Sequence, residues 1–327
     1  MKRKNNTIAL LSCVGIVLLI LDSKTAVSGA VDGISLCIKV LIPSLFPFLV
    51  LSSLLAQSLD GRNFRLMKHI GKFCGIPTGA EHIFLISLIG GYPIGAKIIA
   101  DHYKSGNLSQ KDAQHMLGFC NNAGPAFLFG VVGPLFSSLH IPWLIWLIHI
   151  SSAILTGHFL MNHPDSLSPK RDNSTISPVK LIESSTKTIA IISAWVVIFR
   201  VLLFILKKWL FPLLPLTVQV ILTGCLELTN GCIGLGAIEN TYLRFAICAG
   251  MLSFGGICVI MQTSSVTSAT GLGKYFPGKI LQTVLSVLLS FGIQLLPLVT
   301  MALVPGCLFI HKQISRKNSR FSAANAV

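Results

Sequence analysis

The sequence predicts an all-α, polytopic membrane protein. Three observations lead there. Of 327 residues, 52% are hydrophobic and only 11% charged, whereas a soluble domain carries about 25% charged residues. Apolar runs long enough to cross a bilayer recur along the chain, and the longest mainly polar stretch lies between Met161 and Lys187. The 26 basic residues outnumber the 11 acidic ones, for a net charge of +15, and they collect in short segments between apolar runs. That is the positive-inside pattern, which reports orientation. The composition argues against a soluble enzyme, a disordered chain and a fibrous repeat. The basic residues form no aromatic-interleaved patch, so nucleic acid is not an expected partner.

The elements follow in order. Lys2-Arg3-Lys4 precedes an apolar run from Ile8 to Leu21. Ala26-Val27-Ser28 resembles a signal-peptidase site, so residues 1–30 read as a first transmembrane helix, with a cleaved signal peptide as the alternative. Ile34 to Gln57 is the second apolar segment, followed by a basic loop with Arg62, Arg65, Lys68 and Lys72. Ile83 to Ala100 is interrupted by Gly90-Gly91-Tyr92-Pro93-Ile94-Gly95. After a polar turn, Ala113 to Phe136 is broken by Asn121-Asn122-Ala123-Gly124-Pro125. Ile141 to Leu160 is a full span.

Residues 162–187 are rich in Ser, Pro, Lys and Asp and read as a cytoplasmic linker. Beyond it, Thr188 to Leu210 is apolar, and Val218 to Ile238 is broken around Glu227-Leu228-Thr229-Asn230-Gly231. Tyr242 to Ala269 is broken at Gly255-Gly256 and turns polar near Gln262-Thr263-Ser264-Ser265. Ile280 to Ile310 is the last span, and residues 312–327 form a basic tail.

The two sides of the linker look alike. Met116-Leu117-Gly118-Phe119 matches Met251-Leu252-Ser253-Phe254 at an offset of 251 − 116 = 135, and the same offset lays Gly91-Tyr92-Pro93-Ile94-Gly95-Ala96 on Leu226-Glu227-Leu228-Thr229-Asn230-Gly231. Residues 31–161 then form a first repeat with its connecting span, and residues 188–311 a second repeat with the last span. With the interrupted segments as re-entrant hairpins, a single connecting span turns the second repeat over, giving an inverted repeat. This orientation puts Arg62 to Lys72, the linker, Lys274 and Lys279 inside. Lys207-Lys208 and the basic tail fall outside, against the rule.

Mid-run Gly, Pro and Asn cost helix stability, about 1 kcal/mol for Gly and 3 for Pro. In hydrocarbon a broken backbone is tolerated only where protein or a wet cavity covers it. Four breaks in matching positions mark a midplane binding site, and half-helix N-termini there would present amides to an anion. For any one break, a packing kink is the simpler reading. The candidate contacts are Gly91, Tyr92, Gly95, Asn121, Asn122, Gly124, Asn230, Gly255, Gly256 and Gln262, with interhelical hydrogen bonding as the alternative role of the amide side chains. Ionisable residues in spans default to functional hypotheses. Lys97 would meet an anionic substrate. Glu227 reads as the only acid well inside an apolar segment, and would bind a coupling ion or pair with a base. Arg200 reads as a structural ion pair, with Glu227 one candidate partner, or as a side chain snorkelling to an interface.

The nine cysteines are scattered without a CxxC pair and read as free buried thiols. The nine histidines lack metal-ligand spacing. No cofactor or metal site is expected, and with no nucleophile–base pair an enzyme is not expected either.

Together, Leu41-Ile42-Pro43-Ser44-Leu45-Phe46-Pro47-Phe48, Gly91-Tyr92-Pro93-Ile94-Gly95-Ala96-Lys97, Asn121-Asn122-Ala123-Gly124-Pro125-Ala126-Phe127 and Phe254-Gly255-Gly256 resemble the YlbJ-type sporulation integral membrane proteins of the nucleoside-recognition, or Gate, domain family. The resemblance implies a fold like that of concentrative nucleoside transporters, with two re-entrant hairpins and two broken helices. It also implies solute transport, in spore formers the movement of dipicolinate across the outer forespore membrane. The expected partners are the lipid bilayer and a small-molecule anion or nucleoside. A homo-oligomer and the coupling ion are left open. The alternatives are a nucleoside transporter, or a membrane scaffold for spore assembly that moves nothing.

Overall fold

The computed structural model describes residues 2–59, 65–160 and 177–295. Within them the chain is helical and has no strand. The basic tail, Arg62, most of the linker and the last span beyond residue 295 lie outside the described residues.

Helix α1 (Lys2–Leu21) and α2 (Ser23–Leu59) meet at Asp22. Helix α2 is continuous but widens to a π turn over Cys37–Leu41, where the Ile42 amide reaches the Cys37 carbonyl. Pro43 explains the widening. It has no amide to donate, and its ring would strike the carbonyl four residues back in an ordinary α turn.

Two helix pairs and two interrupted helices form the interior. Helix α3 (Arg65–Cys74) precedes the pair α4 (Glu81–Gly90) and α5 (Ile94–Lys104). Helix α6 (Gln110–Leu117) starts on Ser109, whose hydroxyl accepts from the Asp112 amide at 3.1 Å, a side-chain N-cap. The chain then unwinds through 118–124 and re-forms as α7 (Pro125–Leu135). Helix α8 (His140–Phe159) is a full span. Helix α9 (Pro178–Trp209) opens with proline in its first turn, where a missing amide costs nothing. It begins inside the stretch that reads as linker. Helix α10 (Leu216–Leu226) turns at Glu227 into the short α11 (Leu228–Gly234). Helix α12 (Thr241–Phe254) ends on Gly255 at φ +80, and α13 (Gly256–Val266) leaves from the same residue. Last comes α14 (Tyr275–Leu295).

Among the described residues, five helical stretches are long and apolar enough to span: α2, α8, α9, α12 with α13, and α14. The chain is a multi-pass membrane protein. Its outer surface fits lipid, with Val27, Ile38, Leu51, Leu147, Ile198 and Leu202 exposed. One apolar cluster gathers Ile83, Phe84, Ile98, Met116 and Phe119 from α4 to α6. A second gathers Leu128, Val132, Leu228, Leu235 and Leu252.

Helix α14 inverts the pattern of a soluble helix. Lys279, Gln282, Ser286 and Ser290 are wholly buried, while Ile280, Val284 and Leu288 on the other face are exposed. Where lipid is as apolar as leucine, tail contacts drive no association, and polar groups hold helices together instead.

The ionisable residues depart from the sequence reading in three places. Arg200 pairs with Asp32 of α2, not with Glu227. Asp32 is therefore a second acid inside a span. Lys279, expected on an inside loop, is 0% exposed in the core.

Candidate functional site

The breaks are in contact. Gly91, at φ +81, and Gly124 meet backbone to backbone. A Cβ on Gly91 would lie 3.0 Å from the Gly124 nitrogen. Glycine is required twice over here, for a positive φ with extended ψ that only glycine adopts easily and for the close approach. Gly95 presses against the Cys120 carbonyl at the far end of the second break. Across the molecule, a Cβ on Gly255 would lie 3.2 Å from the Tyr92 ring, and Gly256 faces the Gly224 carbonyl.

Polar side chains close the breaks. The Tyr92 hydroxyl donates to the Leu252 carbonyl at 2.9 Å. The Asn121 amide donates to the Thr263 hydroxyl at 3.0 Å, and its oxygen accepts weakly from the Ala96 amide at 3.4 Å. Asn122 donates to the Phe119 carbonyl and accepts from Gln282. The Ala123 amide donates to His149 Nε2 at 3.1 Å. That fixes the tautomer, so His149 Nδ1 carries the proton and donates to Ser253 Oγ at 3.2 Å. Ser286 donates to Ser152 at 2.8 Å, and Ser152 to the His149 carbonyl. Ser253, spent as acceptor to His149, then donates to Ser286 at 2.5 Å. Every hydroxyl has one donor and one assigned acceptor, so the relay starts and ends on His149.

A cavity of about 340 Å³ opens beside this network. Its wall includes Gly91 and Tyr92 of the first break, Gly124 of the second and Glu227 of the third. Gln262 of α13, Ser44 and Phe48 of α2, and Ile192 and Val196 of α9 also line it. Glu227 is 4% exposed and caps α11. Its carboxylate accepts from the Thr229 amide at 3.0 Å, the Asn230 amide at 2.8 Å and the Asn230 side chain at 2.6 Å. A carboxylate offers about four acceptor positions, so about one remains toward the cavity. The α11 amides hold the charge at a helix N-terminus, where the dipole favours it.

Of the residues singled out in the sequence, Gly91, Tyr92, Gly124, Glu227 and Gln262 line the cavity. Gly95, Asn121, Asn122, Asn230, Gly255 and Gly256 do not line it, though Asn230 bonds Glu227 and Gly255 packs on Tyr92. Gln262 also donates to Cys258 Sγ at 3.2 Å. Ser265 accepts from Trp195, and Ser264 is exposed. Lys97 does not face the cavity; it pairs with Asp101 at 2.7 Å, one turn along α5. Sequence reasoning missed Lys279, Gln282, Ser286 and His149. The signal was present as polar residues at 279, 282, 286 and 290, a helical spacing on a segment otherwise apolar.

The chain is 22% identical over 306 residues to the sporulation integral membrane protein YlbJ of Bacillus subtilis (strain 168), a match covering 77% of this chain and 73% of that protein. The similarity is to a sporulation integral membrane protein. No family model matches it, and no solved structure gives a significant match.

Proposed function

We propose that this chain is a membrane transporter or facilitator of a small polar or anionic solute, built as an inverted repeat. One observation carries the reading: backbone from three helix breaks and one buried carboxylate meet at a single cavity. Its volume lies at the small end of the range for ligand pockets, about 300–1,000 Å³. Helix starts support the repeat. Helix α4 begins at Glu81 and α10 at Leu216, and 216 − 81 = 135, the offset of the sequence landmarks. The pairs α4–α5 and α10–α11 stand as the two re-entrant hairpins, and α6–α7 and α12–α13 as the two broken helices. That arrangement resembles concentrative nucleoside transporters.

Two solutes compete. Resemblance to YlbJ-type proteins brings dipicolinate, moved across the outer forespore membrane during sporulation. The wall itself favours a second class. Its one charged side chain is Glu227, which repels a dianion and attracts hydrogen-bond donors such as nucleoside hydroxyls. Thermal unfolding of the detergent-solubilised protein with dipicolinate, nucleosides and other small acids separates them. A ligand at about 100 times its Kd adds about 2.7 kcal/mol of stability. The ligand that stabilises the protein should then enter proteoliposomes, and Glu227→Gln should alter its uptake while the protein stays inserted. If neither dipicolinate nor nucleosides bind or move, transport is wrong and a scaffold, with breaks serving packing alone, takes its place.

A further inference from the structure

Lys279 places its amino group at the centre of the molecule, and among the described residues no acid meets it. Its side chain is 0% exposed. Among the described residues no carboxylate lies within ion-pair distance. The ammonium instead donates to three oxygens on three segments. These are the main-chain carbonyl of Asn121, Gln282 Oε1 at 2.7 Å and the Tyr92 hydroxyl at 3.4 Å. Two aromatic faces flank it, Tyr92 at 5.2 Å and Tyr275 at 5.9 Å from nitrogen to ring centre.

Neutral oxygens and π faces around a lone positive charge make the surroundings of a bound metal cation, not of a salt bridge. Unwound carbonyls of discontinuous membrane helices serve that purpose in transporters, and carbonyl dipoles can replace an ion's hydration shell. The Asn121 carbonyl is free because α6 has unwound, and in hydrocarbon it must find a partner. We propose that Asn121, Gln282 and Tyr92 form a monovalent-cation cradle occupied by the tethered amino group of Lys279. The cradle shares Tyr92 with the cavity wall, so the resident charge positions a cavity residue. Where the transport reading holds, this site takes no free sodium or potassium, and solute movement through it needs neither ion.

The test is thermal unfolding of the purified full chain in sodium, potassium or choline chloride at equal ionic strength. The unaltered protein should unfold at the same temperature in all three. Lys279→Ala empties the cradle. It should unfold roughly 5 °C lower in choline and recover with sodium or potassium. Lys279→Met fills the space without charge, so it should be destabilised in every salt alike. Three results overturn the proposal: sodium or potassium stabilising the unaltered protein over choline, Lys279→Ala matching it in choline, or metal cations helping Lys279→Ala no more than Lys279→Met. Should Lys279→Ala fail to fold, Lys279→Met still decides, because stability equal to the unaltered protein contradicts a structural cation. A failure of transport appears separately, as absent solute binding with these salt effects intact.

Discussion

The Tyr92 hydroxyl donates across 2.9 Å to the Leu252 carbonyl, joining residues 160 positions apart. One end of this contact lies at the α4–α5 turn and the other one turn before α12 breaks. Tyr92→Phe removes the hydroxyl, leaving the carbonyl short of a donor and the Lys279 ammonium short of an acceptor. Unsatisfied buried groups cost about 1–3 kcal/mol each. The variant should insert normally but unfold several degrees lower in detergent. An unchanged unfolding temperature would show that the contact is not held in solution.

Gly91→Ala tests the approach of the first two breaks. A side chain there meets both a positive-φ, extended-ψ backbone that is essentially glycine-only, about 1–3 kcal/mol, and the Gly124 nitrogen at 3.0 Å. Backbone atoms cannot yield as a flexible side chain can. We expect a loss of at least about 2 kcal/mol, seen as sharply reduced folded yield on size-exclusion chromatography. Gly130→Ala is the control, since a Cβ there meets nothing within 4 Å.

Asp32 and Arg200 tie α2 to α9 inside their apolar stretches. Removing either partner strands the other. Arg200→Leu and Asp32→Leu should each cost roughly 2–4 kcal/mol, and the double replacement less than either alone. Costs that simply add in the double mutant would mean that the two charges do not interact.

Asp22 gives a pH dependence. The Lys208 ammonium bonds the carboxylate at 2.8 Å and Trp209 donates to it at 2.8 Å, with Thr25 beside it. These partners, Lys208 first, hold its pKa down at about 2, against 3.8 in its ordinary state. The folded state therefore favours the ionised carboxyl. Its stabilisation is full above the unfolded value and drains away as the pH falls from about 4 to about 2. In unfolding scans across that window, the unaltered protein should lose more stability than Asp22→Asn. Parallel curves would remove Asp22 from the account.

The backbone breaks were legible in the sequence because Gly, Pro and Asn have no other easy explanation in the middle of an apolar run. Gly91, Asn121, Glu227 and Gly255 all mark interruptions of helix in the structure. The ionisable residues were harder. Lys279 follows Lys274 after a turn and imitates an orienting charge, and its burial depends on a carbonyl 158 positions earlier. Asp32 lies near the start of a long helix, where an acid looks like the end of a loop. Its partner is 168 positions away, 200 − 32. Lys97 was readable in principle, since Asp101 stands one turn along the same helix.

The paired helices α2 and α9 contain 37 and 32 residues. At about 1.5 Å per residue they are about 55 and 48 Å long, against a hydrocarbon slab of about 30 Å. Neither can stand upright and stay wholly immersed. The pair must lean or carry its ends beyond the acyl chains, and the Asp32–Arg200 tie makes the two lean together. Bilayer thickness is thus a mechanical input to this fold. Where the pair leans, a thicker membrane would draw it upright and a thinner one lay it over, and the residues it would carry include Ser44, Phe48, Ile192 and Val196 of the cavity wall.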